Sequence, residues 1–163
     1  MKDMQAPLTR RPAISAAILL LLMISLADAY TLDMAGLQGH VAHYNANIDK
    51  APALLKSVLG SEKVNLVITR DNGSVFRAGV EVQRGRIDQL IPEGYSDPTI
   101  TVTTDESAID QVVGAKDKIT TFTDLIEQGK INIQTNSWLS DIKIKGLLSS
   151  SSVLQFGFDL FFG

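Results

Sequence analysis

The feature that most restricts the fold is an alternation of apolar and polar side chains between residues 63 and 103. In its first stretch, Val64, Leu66 and Ile68 are separated by single residues. Successive side chains of a β-strand point to opposite faces of a sheet, so this period predicts strands with one apolar face. A sheet that is covered on one face only is typical of antiparallel pairing.

Turn signals divide the alternation into four strands. Asp71-Asn72-Gly73 predicts a hairpin turn, because Asn and Gly tolerate positive φ. Arg84-Gly85-Arg86 predicts a second turn, and Pro92 with Gly94 ends the third strand. The fourth strand follows Pro98, and the four together predict a meander of consecutive strands. The apolar positions of the second and fourth strands are Phe76, Ala78, Val80, Val82, Ile100 and Val102.

Two helices are predicted before the sheet, within residues 31–60. Pro52 favours the first turn of the second helix, and Gly60 would end it. The apolar stripe of the first helix consists of Leu37, Val41, Tyr44 and Ile48. The predicted buried face of the second consists of Leu54, Leu55, Val58 and Leu59.

Two more helices and a fifth strand are predicted after the meander. Thr103 and Glu106 form a capping-box pattern that would start the first helix, and Gly114 would end it. The second helix would span residues 118–128, and a strand at 130–135 would follow. Their inward residues are Ala108, Ile109, Val112 and Val113, then Ile119, Phe122, Leu125 and Ile126, and finally Ile131 and Ile133.

The last part of the chain leaves alternatives open. Residues 137–148 favour a helix capped by Ser137, although Ile142 and Ile144 also fit a strand. The aromatic tail, residues 151–163, fits a helix or a strand with one apolar face. It could be a lid, ordinary edge structure, or a membrane contact. The contact would use Phe156, Phe158, Phe161 and Phe162.

The N-terminal segment has the order of a secretory signal peptide. Basic residues among the first eleven precede the uncharged, mostly apolar residues 13–27, and small residues at 27 and 29 precede Tyr30. This predicts export to an extracellular, cell-surface or periplasm-like location, with cleavage before Tyr30. The alternative is an uncleaved anchor. A helix of fifteen residues would span only about 22 Å of a hydrocarbon core about 30 Å thick.

Composition excludes several kinds of site. The chain has no cysteine, so disulfides and thiolate metal sites are excluded. The net charge is −3, and residues 30–163 without the basic leader are more acidic, with no cluster of Lys and Arg. This argues against nucleic acid as a partner. His40 and His43 lack a third metal ligand, and Asp105-Glu106 is explained by the electrostatics of a helix start. No metal, cofactor or catalytic residue is predicted.

Two motifs resemble a known family. Asp97-Pro98-Thr99-Ile100-Thr101-Val102 leads into Asp105 and Glu106, and Gly129-Lys130-Ile131-Asn132-Ile133 follows. Over residues 40 to 150 the order of elements resembles the sterol carrier protein type 2 family, the non-specific lipid-transfer domains. The chain departs from that family at Gln134-Thr135-Asn136, where a second glycine is usual. The resemblance implies an α+β fold: a five-stranded, mainly antiparallel sheet, helices on one face, and an apolar tunnel between the layers.

The resemblance also implies a function. Residues 1–29 would be the leader, residues 30–150 a non-catalytic domain that binds a sterol, acyl or isoprenoid chain, and residues 151–163 the tail. The alternatives are a ligand-free structural or interaction module and, more weakly, an enzyme of unknown type. The implied lipid-binding residues are Phe76, Val80, Val82, Ile100, Val102, Ile109, Val113, Phe122, Ile126, Ile131, Ile133 and Leu147. Asn72-Gly73-Ser74 is also a sequon for N-glycosylation at Asn72, although Asn-Gly is explained by the turn alone.

Overall fold

The computed structural model describes residues 33–58, 61–137, 146 and 149–162. Outside these ranges lie the leader, Gly60 and most of the segment between residues 138 and 148, including Leu147. The helices are α1 Met34–Asn47, α2 Ala53–Val58, α3 Glu106–Gly114, α4 Lys118–Glu127 and α5 Ser151–Phe162. The strands are β1 Ser61–Thr69, β2 Val75–Gln83, β3 Arg86–Pro92, β4 Ile100–Asp105 and β5 Asn132–Thr135.

The five strands form one sheet in the order β3-β2-β1-β4-β5. The pairs β1–β2, β2–β3 and β4–β5 are antiparallel, and β1–β4 is parallel. The fold is therefore α+β with a mainly antiparallel five-stranded sheet, as predicted. The predicted meander is wrong at its fourth strand, because β4 does not pair with β3 but lies on the other side of β1.

The connection from β3 to β4 crosses the sheet on the face opposite the helices. The Asn65 side chain holds the Tyr95 backbone at two points: Tyr95 N donates to Oδ1 at 2.7 Å, and Nδ2 donates to Tyr95 O at 2.8 Å. Asn65 lies opposite Gly79 on β2, where the missing side chain leaves room for the Tyr95 ring. Gly94, at φ 93°, approaches the Asn65 side chain in the same way. These contacts direct the chain past β2 and β1 to β4.

The alternation between residues 63 and 103 is confirmed. The apolar positions predicted for β1, β2 and β4 are buried, and the intervening Thr101 and Thr103 lie on the outer face, half-buried and exposed respectively. The inward side chains of the three central strands are almost inaccessible to water: Val64, Leu66, Ile68, Phe76, Ala78, Val80, Val82, Ile100 and Val102. The helices pack against this face and complete a single core.

Helix α3 begins later than its capping-box pattern predicts. Strand β4 continues through Thr103 to Asp105, and the Asp105 carboxylate is the N-cap, accepting from Ala108 N at 2.7 Å. The Glu106 carboxylate instead accepts from Asp71 N, which ties the β1–β2 turn to the start of α3. The predicted box between Thr103 and Glu106 is therefore wrong, because pairing with β1 keeps Thr104 and Asp105 in the strand.

Both helices before the sheet are present, while the predicted burial of Val58 and Leu59 falls outside what the structure describes. Helix α1 is fixed to the β2–β3 turn: the buried Tyr44 hydroxyl donates to Gly85 O, and Asn45 exchanges two hydrogen bonds with the Ile87 backbone. Burial raises the pKa of Tyr44, so this hydroxyl keeps its proton. In α2, Leu55 is buried as predicted, whereas Leu54, predicted to be buried, is 38% exposed. The helix is only six residues long and turns one side to the core.

Candidate functional site

The structure brings the predicted lipid-binding residues into one core. All of them except Leu147, which lies outside the described ranges, belong to the core or pack against it. Phe76, Val80, Val82, Ile100 and Val102 come from the sheet, while Ile109, Val113, Phe122 and Ile126 come from α3 and α4. Ile131 is buried just before β5, and Val113 and Ile133 are only partly buried.

The sheet side of this interior is sealed from solvent. Val80 and Val102, on the inner face of the central strands, are 0% exposed. A molecule from solution could reach these side chains only if a covering element moved. Of the helices that cover the core, α5 is the one nearest the C-terminus.

Helix α5 resolves the choice between helix and strand for the aromatic tail. Its buried side includes Val153, Leu154 and Phe158, and it packs against α4. The rings of Phe158 and Phe122 meet edge to face, with centroids 6.2 Å apart and planes at 73°. At its far end, the Leu160 carbonyl lies 3.2 Å from Nε2 of His43 on α1. The buried side of helix α5 thus belongs to the same core as the sheet, and α5 meets α4 along an apolar seam.

A cleft of about 420 Å³ lies beside the seam between α4 and α5. Apolar side chains of Ile119 and Phe158 form part of its wall. The remaining lining residues are polar or charged: Lys116, Asp117, Lys118, Gln155 and Asp159. Sequence reasoning missed this site, because its two sides are about 40 residues apart and neither carries a motif.

Hydrogen bonds fix most of the charged groups around the cleft. Asp117 is the N-cap of α4 and accepts from the backbone and the side chain of Thr120, which lowers the pKa of the Asp117 carboxyl. Lys118 Nζ donates to the carbonyls of Val113 and Ala115 at 2.8 and 2.9 Å. Asp159 accepts from the side-chain amide of Gln155.

One buried acid was also missed. Glu62 alternates with the apolar residues of β1 and is buried at the end of the inner face, where its carboxylate accepts from the Thr99 hydroxyl at 2.7 Å. The same hydroxyl oxygen accepts from Lys63 N at 3.0 Å. The contacts join β1 to the residue before β4. They explain Glu62 as a structural residue of the parallel pair.

The remaining candidate positions can be described briefly. Asn72 is exposed at the tip of the β1–β2 hairpin, and its side-chain oxygen accepts from Ser74 N within the turn. Among the described residues, no three His, Asp or Glu side chains are grouped so that they could hold a metal ion. In the same part of the chain, no helix combines the length and apolar character needed to cross a bilayer.

Comparisons with known proteins give matches among solved structures. No family model matches the sequence, and no curated protein sequence matches it. A UbiJ-SCP2 ubiquinone synthesis protein is similar at 15% identity and a TM-score of 0.47, over 74% of this chain and 93% of that chain. The sterol carrier protein domain 2 of Helicoverpa armigera is similar at 16% identity and a TM-score of 0.47, over 68% and 84%. A sterol carrier protein 2 is similar at 10% identity and a TM-score of 0.48, over 74% and 91%.

Proposed function

We propose that the protein binds an apolar lipid chain between its sheet and its helices and carries it without a catalytic step. The observation that carries this proposal is the C-terminal helix α5, whose Phe158 packs on Phe122 and covers part of the apolar core. The ligand would carry a sterol, acyl or isoprenoid group. The resemblance of the two sequence motifs to lipid-transfer domains supports the same function.

A bound lipid chain can replace helix α5 on the core, because apolar burial does not depend on which apolar group does the covering. Each Å² of apolar surface removed from water contributes about 25 cal/mol, whether the neighbour is a side chain or a lipid. The surface that Leu154 and Phe158 cover could therefore be covered by a lipid at similar free energy. An interior left open and dry would instead cost about 24 cal/mol per Å³. Helix α5 would act as the lid that prevents this cost.

The proposed binding residues line the two layers and the seam. Selectivity would be loose, since an apolar wall with few polar groups distinguishes ligands mainly by volume and shape. The proposed wall consists of Phe76, Val80, Val82, Ile100, Val102, Ile109, Val113, Phe122, Ile126, Ile131, Ile133 and Leu147.

The alternative function is a structural or interaction module with the same fold and no ligand. The sealed inner face favours it, because a filled core needs no guest. The two functions differ in what co-purifies with the protein. In the alternative, the aromatic helix would contact a partner or a membrane surface.

Native lipid analysis separates these functions. We expect the natively purified protein to release a lipid with an apolar chain, at about one molecule per protein, on extraction with organic solvent and mass spectrometry. We also expect it to bind a fluorescent fatty acid that the extracted lipid displaces. A chain truncated after Ser149 serves as the comparison and is expected to retain less lipid. Absence of both lipid and probe binding in the full chain would exclude the carrier function.

We further propose that the protein is exported by its N-terminal segment, with Asn72 available for glycosylation on an exposed turn. Intact-mass measurement of the protein produced from the full chain is expected to show Tyr30 as the first residue. A mass that retains residues 1–29 in the membrane fraction would support the anchor instead. Loss of mass on treatment with an N-glycosidase, absent in an Asn72→Gln variant, would identify the glycan.

A further inference from the structure

We propose that Asn72 is a site of spontaneous chemical modification, at which its side-chain amide reacts with the backbone nitrogen of Gly73. The chain has six asparagines, and Asn72 is the one that precedes a glycine. Glycine has no Cβ, so nothing on residue 73 crowds its own nitrogen during the attack. This modification is independent of the carrier function proposed above.

The reaction needs only the protein and water. The Gly73 nitrogen, once it has lost its proton, bonds to Cγ of Asn72. The bond from Cγ to Nδ2 breaks, and Nδ2 takes up a proton and leaves as ammonia, which closes a five-membered succinimide ring. Water then opens the ring at either of its carbonyls and gives aspartate or isoaspartate, each with a new negative charge. In isoaspartate the main chain runs through the side-chain Cγ and is longer by a methylene.

The turn holds the Asn72 side chain in a form that favours this reaction. Its oxygen accepts from Ser74 N at 2.9 Å. Negative charge develops on this oxygen when Cγ is attacked, and a donor already in place stabilises that charge. The side-chain nitrogen, which must leave, makes no hydrogen bond within the described ranges, and the residue is exposed to water.

The other asparagines lack one of these features. Asn132 is also exposed, and its side-chain nitrogen makes no hydrogen bond in the part of the chain that the structure describes. However, it precedes Ile133 in strand β5, whose branched Cβ crowds the backbone nitrogen. Asn132 is therefore the matched internal control. The other four donate from the side-chain nitrogen to a backbone carbonyl: Asn45, Asn47, Asn65 and Asn136.

One contact restrains the reaction in the folded protein. Gly73 N donates to Arg70 O at 2.9 Å, and this hydrogen bond must open before the nitrogen can attack. The turn is also tied to α3, because Asp71 N donates to the Glu106 carboxylate at 2.8 Å. A Cβ at Gly73 would meet nothing within 4 Å, so the turn has room to open. We expect slow conversion in the folded chain and faster conversion wherever the turn is loosened.

The experiment follows the full chain during incubation at mildly alkaline pH, which favours loss of the Gly73 proton. The protein is produced in a host that does not glycosylate, because a glycan on Nδ2 would block the departure of this nitrogen. Ion-exchange chromatography should show a growing acidic form. Peptide mapping with an isoaspartyl methyltransferase should place isoaspartate at Asn72 and not at Asn132.

Two variants of the turn are controls for the chemistry. Ser74→Ala removes the glycosylation sequon and keeps the backbone N–H, so it should convert like the original protein. Asn72→Gln should give no acidic form from the turn, because the longer side chain cannot close the five-membered ring. An acidic form that maps to another asparagine would overturn the proposal. So would an Asn72 that stays unchanged in the folded protein while the urea-unfolded chain converts.

Glu106→Ala tests the restraint by the turn. The variant loses the hydrogen bond to Asp71 N, and we expect its conversion at Asn72 to be about two- to tenfold faster. Urea unfolding should show that it remains folded. Equal rates in the variant and the original protein would overturn the restraint, since opening of the turn would then not limit the reaction.

Discussion

Replacing Phe158 with alanine is expected to detach helix α5 from the core and to speed the release of a bound acyl probe at least tenfold. Phe158 is only 5% exposed, and its ring packs edge to face on Phe122. Truncation of a buried Phe to Ala costs about 3–5 kcal/mol. Each 1.4 kcal/mol changes an equilibrium about tenfold, so the docked state of the helix should become at least a hundredfold less favourable.

Two measurements test the detachment. Hydrogen exchange should show loss of protection confined to residues 151–162, and stopped-flow fluorescence should report faster release of the probe. Phe156→Ala is the control, because Phe156 is on the same helix but only half-buried. Phe156→Ala should lower the hydrogen-exchange protection and speed the probe release clearly less than Phe158→Ala does. Unchanged protection and release in the Phe158 variant would show that the helix is fixed structure and does not act as a lid.

Replacing Gly79 with alanine is expected to lower the free energy of unfolding by about 1–3 kcal/mol or more, the cost of overpacking a full site. A Cβ at this position would lie 2.8 Å from Ile91 Cγ1 and Tyr95 Cδ2, and 2.9 Å from the Gly94 Cα. The last of these is backbone and cannot turn away. The segment that connects β3 to β4 would have to lift from the sheet, straining the two hydrogen bonds that Asn65 makes to Tyr95.

Gly39→Ala provides a control of opposite sign. Gly39 lies inside α1, where a Cβ would meet nothing within 4 Å. Alanine there should stabilise the protein by about 0.5–1 kcal/mol, because Gly is the poorer helix former. Urea denaturation of the three proteins gives the comparison. If the Gly79→Ala variant is as stable as the original protein, the position of the Tyr95 ring does not depend on the space above Gly79.

Local patterns accounted for much of the fold. The alternation at Val64, Leu66 and Ile68 identified the buried face of β1, and Asn72-Gly73 located its hairpin. Helical spacing identified Phe122 as a buried residue of α4. These predictions succeeded because the side-chain period of an element is fixed by its own backbone, whatever the element packs against.

Other predictions from local sequence patterns failed. Thr103 and Glu106 match a capping box, yet pairing with β1 keeps Thr103 in the strand and leaves the cap to Asp105. Leu54 was predicted to be buried together with Leu55, yet only Leu55 of the two faces the core. At Thr103, pairing with a strand distant in the sequence outweighed the local preference.

The candidate site likewise has one part that local patterns predict and one part that they do not. The burial of most of the proposed wall residues could be predicted, because they recur with the period of a strand or a helix. The cleft could not, because it exists only where the start of α4 meets α5, and no local pattern relates Lys116 to Phe158. The seam between Phe122 and Phe158 likewise joins residues 36 positions apart in the sequence.

The sequence by itself determined which side chains of each strand and helix face inward and where the chain turns, because period and turn chemistry act over a few residues. Only the tertiary structure decided which strands are neighbours. Placing β4 parallel to β1 required the Asn65–Tyr95 contact and the space above Gly79, which lie on three different segments. Such pairings depend on the free energy of the whole packed sheet, and no single segment contains that information.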